Sequence, residues 1–427
     1  MKSSRLLIAL ALTAAVTVTA WGQAKEPQYK DRAEYDLFTS IIKEQNPTQK
    51  LSLLDQWKQK YPETEFMDYR MQLYLDTYRA LNQGAKVLET AKAMVARDPK
   101  SGTGLLWINI MTPALGDTSA DALNTGEQAA KSMLENLDTI FAAEKKPQGI
   151  TDDQWSKEKN NVRSVAHTTL GWVNWQRKNL EEAEKQFTEV LKISPTNGQV
   201  SYWLGTAIVQ QKKPEKQSSA LYHFARAATY DGPGALDPNT RKQVLAYLEK
   251  AYTNFHGDRS GLDEIIARAK TDPLPPADFK IESSVDIAIR KEEEFKKTNP
   301  QLALWMGVKK ELAGPNGPAY FESTVKGAAL PKFKGTVISQ KPAARPKEVV
   351  VGIADAATPE VTLVFENPLP SKADPGTEIE FEGIPTGFTA DPFMLTMEVE
   401  REKLTGWPAA AAPAAKKATG GKKGKKK

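Results

Sequence analysis

The segment Leu170–Pro195, LGWVNWQRKNLEEAEKQFTEVLKISP, sets the tightest limit on what this chain can fold into. It reads as two short amphipathic helices bent back on each other, with Gly171, Ala183 and Pro195 at spaced positions. The pair Leu170-Gly171 recurs as Leu204-Gly205, 34 residues on. Ala220, Phe224 and Ala227 then stand where the first copy has Ala183, Phe187 and Val190, after a three-residue insertion near Pro214. Upstream, Tyr61-Pro62 and Asp98-Pro99 end apolar-periodic runs as Ser194-Pro195 does, because the residue before proline is disfavoured in the helical conformation. Aligned on the prolines, Trp57, Met94 and Val190 coincide, and Leu54, Ala91 and Phe187 share the same helix face. A helical pattern at a fixed period is the mark of stacked units, each burying its face on a neighbour.

Leu-Gly, then Ala, an aromatic, a hydrophobe and Pro at these intervals resembles the tetratricopeptide repeat (TPR), carried here by Leu170, Gly171, Ala183, Phe187, Val190 and Pro195. The resemblance implies helix pairs A and B. Gly171 and Ala183 are small so that the two helices approach closely, Phe187 fills the gap to the next unit, and the proline ends helix B. His167 replaces the family's early aromatic, Asn174 replaces its tyrosine with Trp175 one place on, and the unit ending at Pro99 lacks the Leu-Gly pair. The match is best from Val165 to Pro195 and weakens in both directions.

These features predict a mainly α chain: an α-solenoid of degenerate TPR-like hairpins over residues 25–270, then a small five-stranded β domain. Ala120–Asp153 is expected to be an irregular unit with a helix over Ala129–Phe141 and a loop at Lys145–Thr151. A helix pair in Asp237–Lys270 is expected to cap the stack. TDPLPPADFKIES marks a boundary, and residues 271–330 form a linker and helical connector reaching to about Leu312. Within residues 331–407, strands are expected at Gly335–Ile338, Val349–Ile353, Val361–Phe365, Glu378–Glu382 and Phe393–Val399. An OB-like barrel is the first expectation for them and a sandwich the second. Residues 408–427 are low in complexity and are expected to be disordered.

With 427 residues the chain exceeds the roughly 250 to 300 at which one core stops growing. Its net charge is +5, yet Lys2 and Arg5 supply two positive charges and the last twenty residues seven, leaving −4 between them. The basicity therefore belongs to the ends. Lys2, Arg5, the apolar run Leu6–Ala20 and the small residues Gly22 and Ala24 read as a signal peptide over residues 1–24, hence export to a periplasmic or extracellular compartment. An uncleaved membrane anchor is the lesser alternative, because the run is short for a bilayer. There is no cysteine, so no disulfide and no thiolate metal site.

Catalytic chemistry is sparsely represented. His167, His223 and His256 all fall in helices or at a helix end and read as structural residues. No HExxH, Walker loop, GxGxxG after a strand or paired-histidine spacing occurs, so no cofactor or metal is expected. Glu292, Glu293 and Glu294 point in different directions on a helix and are surrounded by Arg290, Lys291, Lys296 and Lys297, a solvated face. Asp152 and Asp153 are expected to cap the helix that follows and to interact favourably with its positive start. GPGALDPN (232–239) reads as an inter-repeat loop.

Trp172, Trp175, Tyr202 and Trp203 fall on A helices, which in the TPR family line a concave face. Asn174, Trp175, Gln210 and Gln211 are therefore the candidate contacts to a partner, taken to be a peptide or another protein. The lysine tail is read as a contact to an anionic envelope surface. Acidic residues around Phe381 argue against nucleic acid as its target. The functional expectation is an exported, non-enzymatic scaffold. A tail-anchored envelope-assembly or wall-associated factor is the alternative, and a carboxylate hydrolase the third reading.

Overall fold

The computed structural model describes residues 27–409. The expected signal peptide, and the expected tail from residue 410 onward, lie outside the described residues. The chain divides into two compact units with the boundary between Ser284 and Val285, so the expected connector 271–330 is shared between them.

Twelve α-helices build the described part of the first unit: α1 (Arg32–Lys43), α2 (Pro47–Lys60), α3 (Met67–Ala80), α4 (Gly84–Arg97), α5 (Gly102–Leu115), α6 (Ala120–Ile140), α7 (Asp152–Gln176), α8 (Leu180–Ile193), α9 (Gly198–Gln210), α10 (Gln217–Thr229), α11 (Pro238–His256) and α12 (Leu262–Thr271). Each helix from α1 to α10 packs on the next, α5 also meets α7, α7 touches α9, and α12 returns onto α10. Packing mainly between neighbours is the repeat-like order that the helical period implies.

Local chemistry sets the helix ends. Asp31, Asn46, Ser101, Ser119, Asn197 and Asp237 accept a backbone N–H at the head of their helices. Before α7 the cap is Thr151, which forms a capping box with Gln154. Asp152 and Asp153 are not the cap but occupy the first turn, where their charge favours the positive helix start as expected. α2, α4 and α8 stop two positions before Pro62, Pro99 and Pro195. The turns after α3, α7 and α9 each hold one residue in the left-handed region: Asn82 (φ 55°), Lys178 (φ 66°) and Lys212 (φ 57°). Lys178 and Lys212 are 34 positions apart, as are the two Leu-Gly pairs.

One expectation here was too short. Helix was placed over Ala129–Phe141, whereas α6 begins at Ala120 and carries Leu123 and Gly126 into the core. The Gly126 position abuts Thr112 of α5, so this glycine is a close-packing residue within the helix.

The second unit opens with α13 (Ser284–Thr298), α14 (Pro300–Leu312) and α15 (Gly317–Tyr320), followed by β1 (Phe333–Lys341), β2 (Glu348–Gly352), β3 (Val361–Val364), β4 (Glu378–Phe381), β5 (Ile384–Ala390), β6 (Phe393–Glu398) and β7 (Leu404–Thr405). The sheet has seven strands, not five, in the order β5-β6-β3-β2-β1-β4-β7. All pairings are antiparallel except β3 with β6. β5 and β7 are the two ends of this order, so the ladder by itself does not close a barrel. The missed strands have weak signatures: β5 contains Pro385 and Gly387, tolerated on an edge strand, and β7 is two residues long.

Alternate strand residues, Val349 and Val351, Val361 and Leu363, Ile379 and Phe381, share one core with Trp305, Val308 and Leu312 of α14. Glu360 is 1% exposed within it. Its carboxylate accepts from the N–H groups of Ile353 (2.7 Å) and Ala354 (2.6 Å), from Trp305 Nε1 (3.3 Å) and from Lys309 Nζ (2.5 Å), which tie α14 to the sheet.

Candidate binding surface on α7, α9 and α11

Packing of the signature residues prepares this surface. Leu170, Gly171, Ala183, Phe187, Val190, Leu204, Gly205, Ala220, Phe224 and Ala227 are all buried, and Pro195 is exposed. A Cβ on Gly171 would stand 2.5 Å from Phe187 Cδ1, so α7 meets α8 through a bare backbone facing an aromatic ring. Gly205 has more room, with the Ala220 carbonyl at 3.2 Å and the Phe224 ring at 3.3 Å. Phe187 also lies 5.8 Å, centroid to centroid, from Trp203 of the following hairpin. The unit ending at Pro99 reaches the same end by reversing sizes. Leu75 stands where the register puts the glycine and Ala91 where it puts the aromatic, both wholly buried in one cluster.

Of the four aromatics on A helices, Trp172 is buried in the core, while Trp175, Tyr202 and Trp203 are half-buried against it. Two series of ring contacts run through them. Trp175 meets Trp203 at 6.3 Å, and Tyr202 meets Phe224 at 6.0 Å, which meets Tyr247 of α11 at 4.9 Å. Tyr247 is 46% exposed. It lines an open groove of about 480 Å³ with Gln217, Lys250, Ala251, Asn254 and Phe255.

The four candidate contact residues divide. Trp175 Nε1 donates to Gln210 Oε1 at 3.1 Å, which brings together two side chains 35 positions apart on an exposed edge. Asn174 donates to the Leu170 carbonyl at 2.9 Å and accepts from Asn179 at 3.3 Å, so it builds the α7–α8 turn. Gln211 donates to Glu184 Oε2 at 2.5 Å and accepts from Lys216 Nζ at 3.0 Å; Lys216 also meets Glu184 at 2.6 Å. That polar knot ties α8 to the α9–α10 turn. The groove residues of α11 escaped the sequence reading, although Tyr247, Ala251 and Phe255 recur every four positions there.

Beneath the surface, α10 is enclosed, with ten of its thirteen residues buried. Tyr222 donates to the Asp272 carbonyl (3.2 Å), and Arg226 to the Ala269 (3.1 Å), Lys270 (2.5 Å) and Pro195 (2.8 Å) carbonyls, so α12 and the segment after it are clamped onto α10. The His223 ring is buried with no hydrogen-bond partner at Nδ1, and burial pushes its pKa down to about 3.

A second open cavity, about 470 Å³, lies at the α11–α12 corner. There His256 Nε2 meets Ser260 Oγ at 3.1 Å and Nδ1 meets the Glu282 carbonyl at 2.8 Å. Asp258 Oδ1 accepts from both the Ser260 hydroxyl (2.5 Å) and its N–H (2.8 Å). A carboxylate bonded to the hydroxyl, and not behind the imidazole, has the geometry of a closed turn and not that of an activated serine. His167 contacts Gln186 at 2.7 Å, and Glu292 pairs with Lys296 at 2.7 Å on an exposed face. Among the described residues no group of three His, Asp or Glu is placed to hold a metal, and no helix is long and apolar enough to cross a membrane.

No protein-family model matches this chain, and no curated protein matches it. Among solved structures, it is similar to a thermophilic TPR protein of Thermus thermophilus, with 15% identity, covering 52% of this chain and 95% of that one. The TM-score is 0.27, too low for the likeness to support any conclusion about function.

Proposed function

We propose that the chain is an exported, non-enzymatic helical-repeat scaffold that holds a peptide or protein partner along α7, α9 and α11. The observation that carries the reading is two series of ring contacts, Trp175 with Trp203 and Tyr202 through the buried Phe224 to the exposed Tyr247, the second of which ends at the open groove beside Tyr247 and Phe255. Such a surface offers large, rigid contact area with a few polar groups beside it, the composition favoured where proteins meet. Export rests on the residues at the start of the sequence alone.

The test is crosslinking in intact cells from photoreactive side chains at Gln210 and Tyr247, with mass spectrometry of the captured species. The expected result is one species captured from both positions and lost when Ala251→Arg fills the groove. No specific capture from either position, or capture indifferent to Ala251→Arg, overturns the reading.

A further inference from the structure

His256 is the last residue of α11, and its ring is held at both nitrogens. Nδ1 stands 2.8 Å from the Glu282 carbonyl oxygen, and Nε2 stands 3.1 Å from Ser260 Oγ. A carbonyl oxygen only accepts, so the proton of the first bond belongs to Nδ1. Ser260 Oγ also lies 2.5 Å from Asp258 Oδ1, and a carboxylate likewise only accepts, so the single hydroxyl proton of the serine lies in that bond. The proton between Ser260 and the ring must then come from Nε2. A ring that donates from both nitrogens is an imidazolium, and no neutral tautomer keeps all three bonds.

The surroundings suit that charge. Asp258 Oδ1 is 3.8 Å from Nε2, and the ring belongs to the last turn of α11, at the negative end of the helix. Its centroid is 5.2 Å from that of Tyr252, whose hydroxyl donates to the Ser260 carbonyl at 2.6 Å and so steadies the turn. Around the cavity at this corner stand Glu264 and Arg268 of α12 and Lys280 and Glu282 of the segment after it, two groups of each sign, which leaves Asp258 to set the local balance. That segment is tied to α10 as well: the Ile281 N–H donates to Ser218 Oγ at 3.0 Å, and the Phe279 ring meets that of Tyr222 at 5.1 Å. His256 adds the tie at Glu282, just before the first unit ends at Ser284.

We propose that His256 is a proton-dependent latch: charged, it fastens the chain at Glu282 to the α11–α12 corner, and neutral, it lets that tie go. A neutral ring donates once. Of its two acceptors Ser260 Oγ is the stronger, because its own proton is drawn toward Asp258. Nε2–H is therefore kept, and Nδ1 turns a lone pair toward the Glu282 carbonyl, which sets two acceptors 2.8 Å apart and drives them away from each other. The latch is closed at the lower pH and opens as the ring loses its proton, a change for which histidine is the suited side chain near neutral pH. The inference is independent of the groove beside Tyr247.

The experiment follows the ring and the segment separately in the full chain. Histidine labelled with 15N reads the protonation of each ring nitrogen by NMR, and the His256 signals are those missing from H256F. The expected result is both nitrogens protonated at pH 5.5 and Nε2 alone at pH 8.5, with about a threefold or greater loss of proton affinity in D258N. The Asp258 side chain is largely exposed and an amide oxygen in its place still accepts from Ser260, so D258N removes the charge while the turn persists. Because the chain has no cysteine, S283C supplies a single thiol, and a nitroxide attached there reports the mobility of the segment by electron paramagnetic resonance. That mobility is expected to rise with pH at the midpoint of the ring, to shift with it in D258N, and to be high at every pH in H256F. A single protonated nitrogen at all pH values, a midpoint unmoved in D258N, or a label indifferent to the titration of the ring overturns the proposal.

Discussion

His223 concentrates at one residue the cost of enclosing α10. Its neutral ring sits in the core with Nδ1 unpartnered, and its pKa is held near 3 against about 6.5 in the unfolded chain. As pH falls through 6.5 the unfolded chain takes up this proton first, so stability drops between about pH 6.5 and 3 and is whole above that window. The slope from this group is about 1.4 kcal/mol per pH unit within the window. Replacing His223→Leu is expected to flatten the curve there. Urea unfolding of both forms at pH 7, 5.5 and 4.5 reads the difference, and an unchanged gap between the forms at all three pH values contradicts the assignment.

At the scale of elements, the turns between paired helices carry their own record of the repeat. Lys178 and Lys212 hold φ values that cost an L-residue roughly 1 kcal/mol, and both side chains are exposed. Lys178→Gly is expected to stabilise the first unit by several tenths to about 1 kcal/mol, because the strain disappears while the turn bonds from Lys178 N to the Trp175 carbonyl and from Asn179 N to the Asn174 carbonyl remain. A rise in the urea midpoint with an unchanged slope is the measurement, and a fall in midpoint contradicts it. Proline and Leu-Gly signals were legible because each acts within a few residues. The exchange of a glycine–aromatic pair for Leu75 and Ala91 was not, since the two arrangements fill similar space with no motif in common.

Across the molecule, burial is unevenly shared. α10 buries ten residues, α1 two, and α13 none. Local opening follows such differences, so hydrogen exchange by the first unit is expected to be slowest in α8–α10 and fastest in α1. Native-state exchange followed by mass spectrometry reads this order; protection of α1 equal to that of α10 contradicts it. That order would set the candidate groove, lined by residues of α10 and α11, against the slowest-exchanging helices.

What the sequence determined by itself was the phase of the helices: where they stop, which positions face inward, and that helical hairpins precede a β unit. Those outcomes rest on short-range sterics and on periodic apolar faces, both written in neighbouring residues. Tertiary structure alone decided which apolar face met which. It returned α12 onto α10, buried Trp172 while leaving Trp175 half-exposed, committed Asn174 to a turn, and paired β3 in parallel with β6 at a separation of 34 residues. Contacts of that span are chosen by shape and volume among several compatible faces, and an amphipathic pattern specifies a face without specifying its partner.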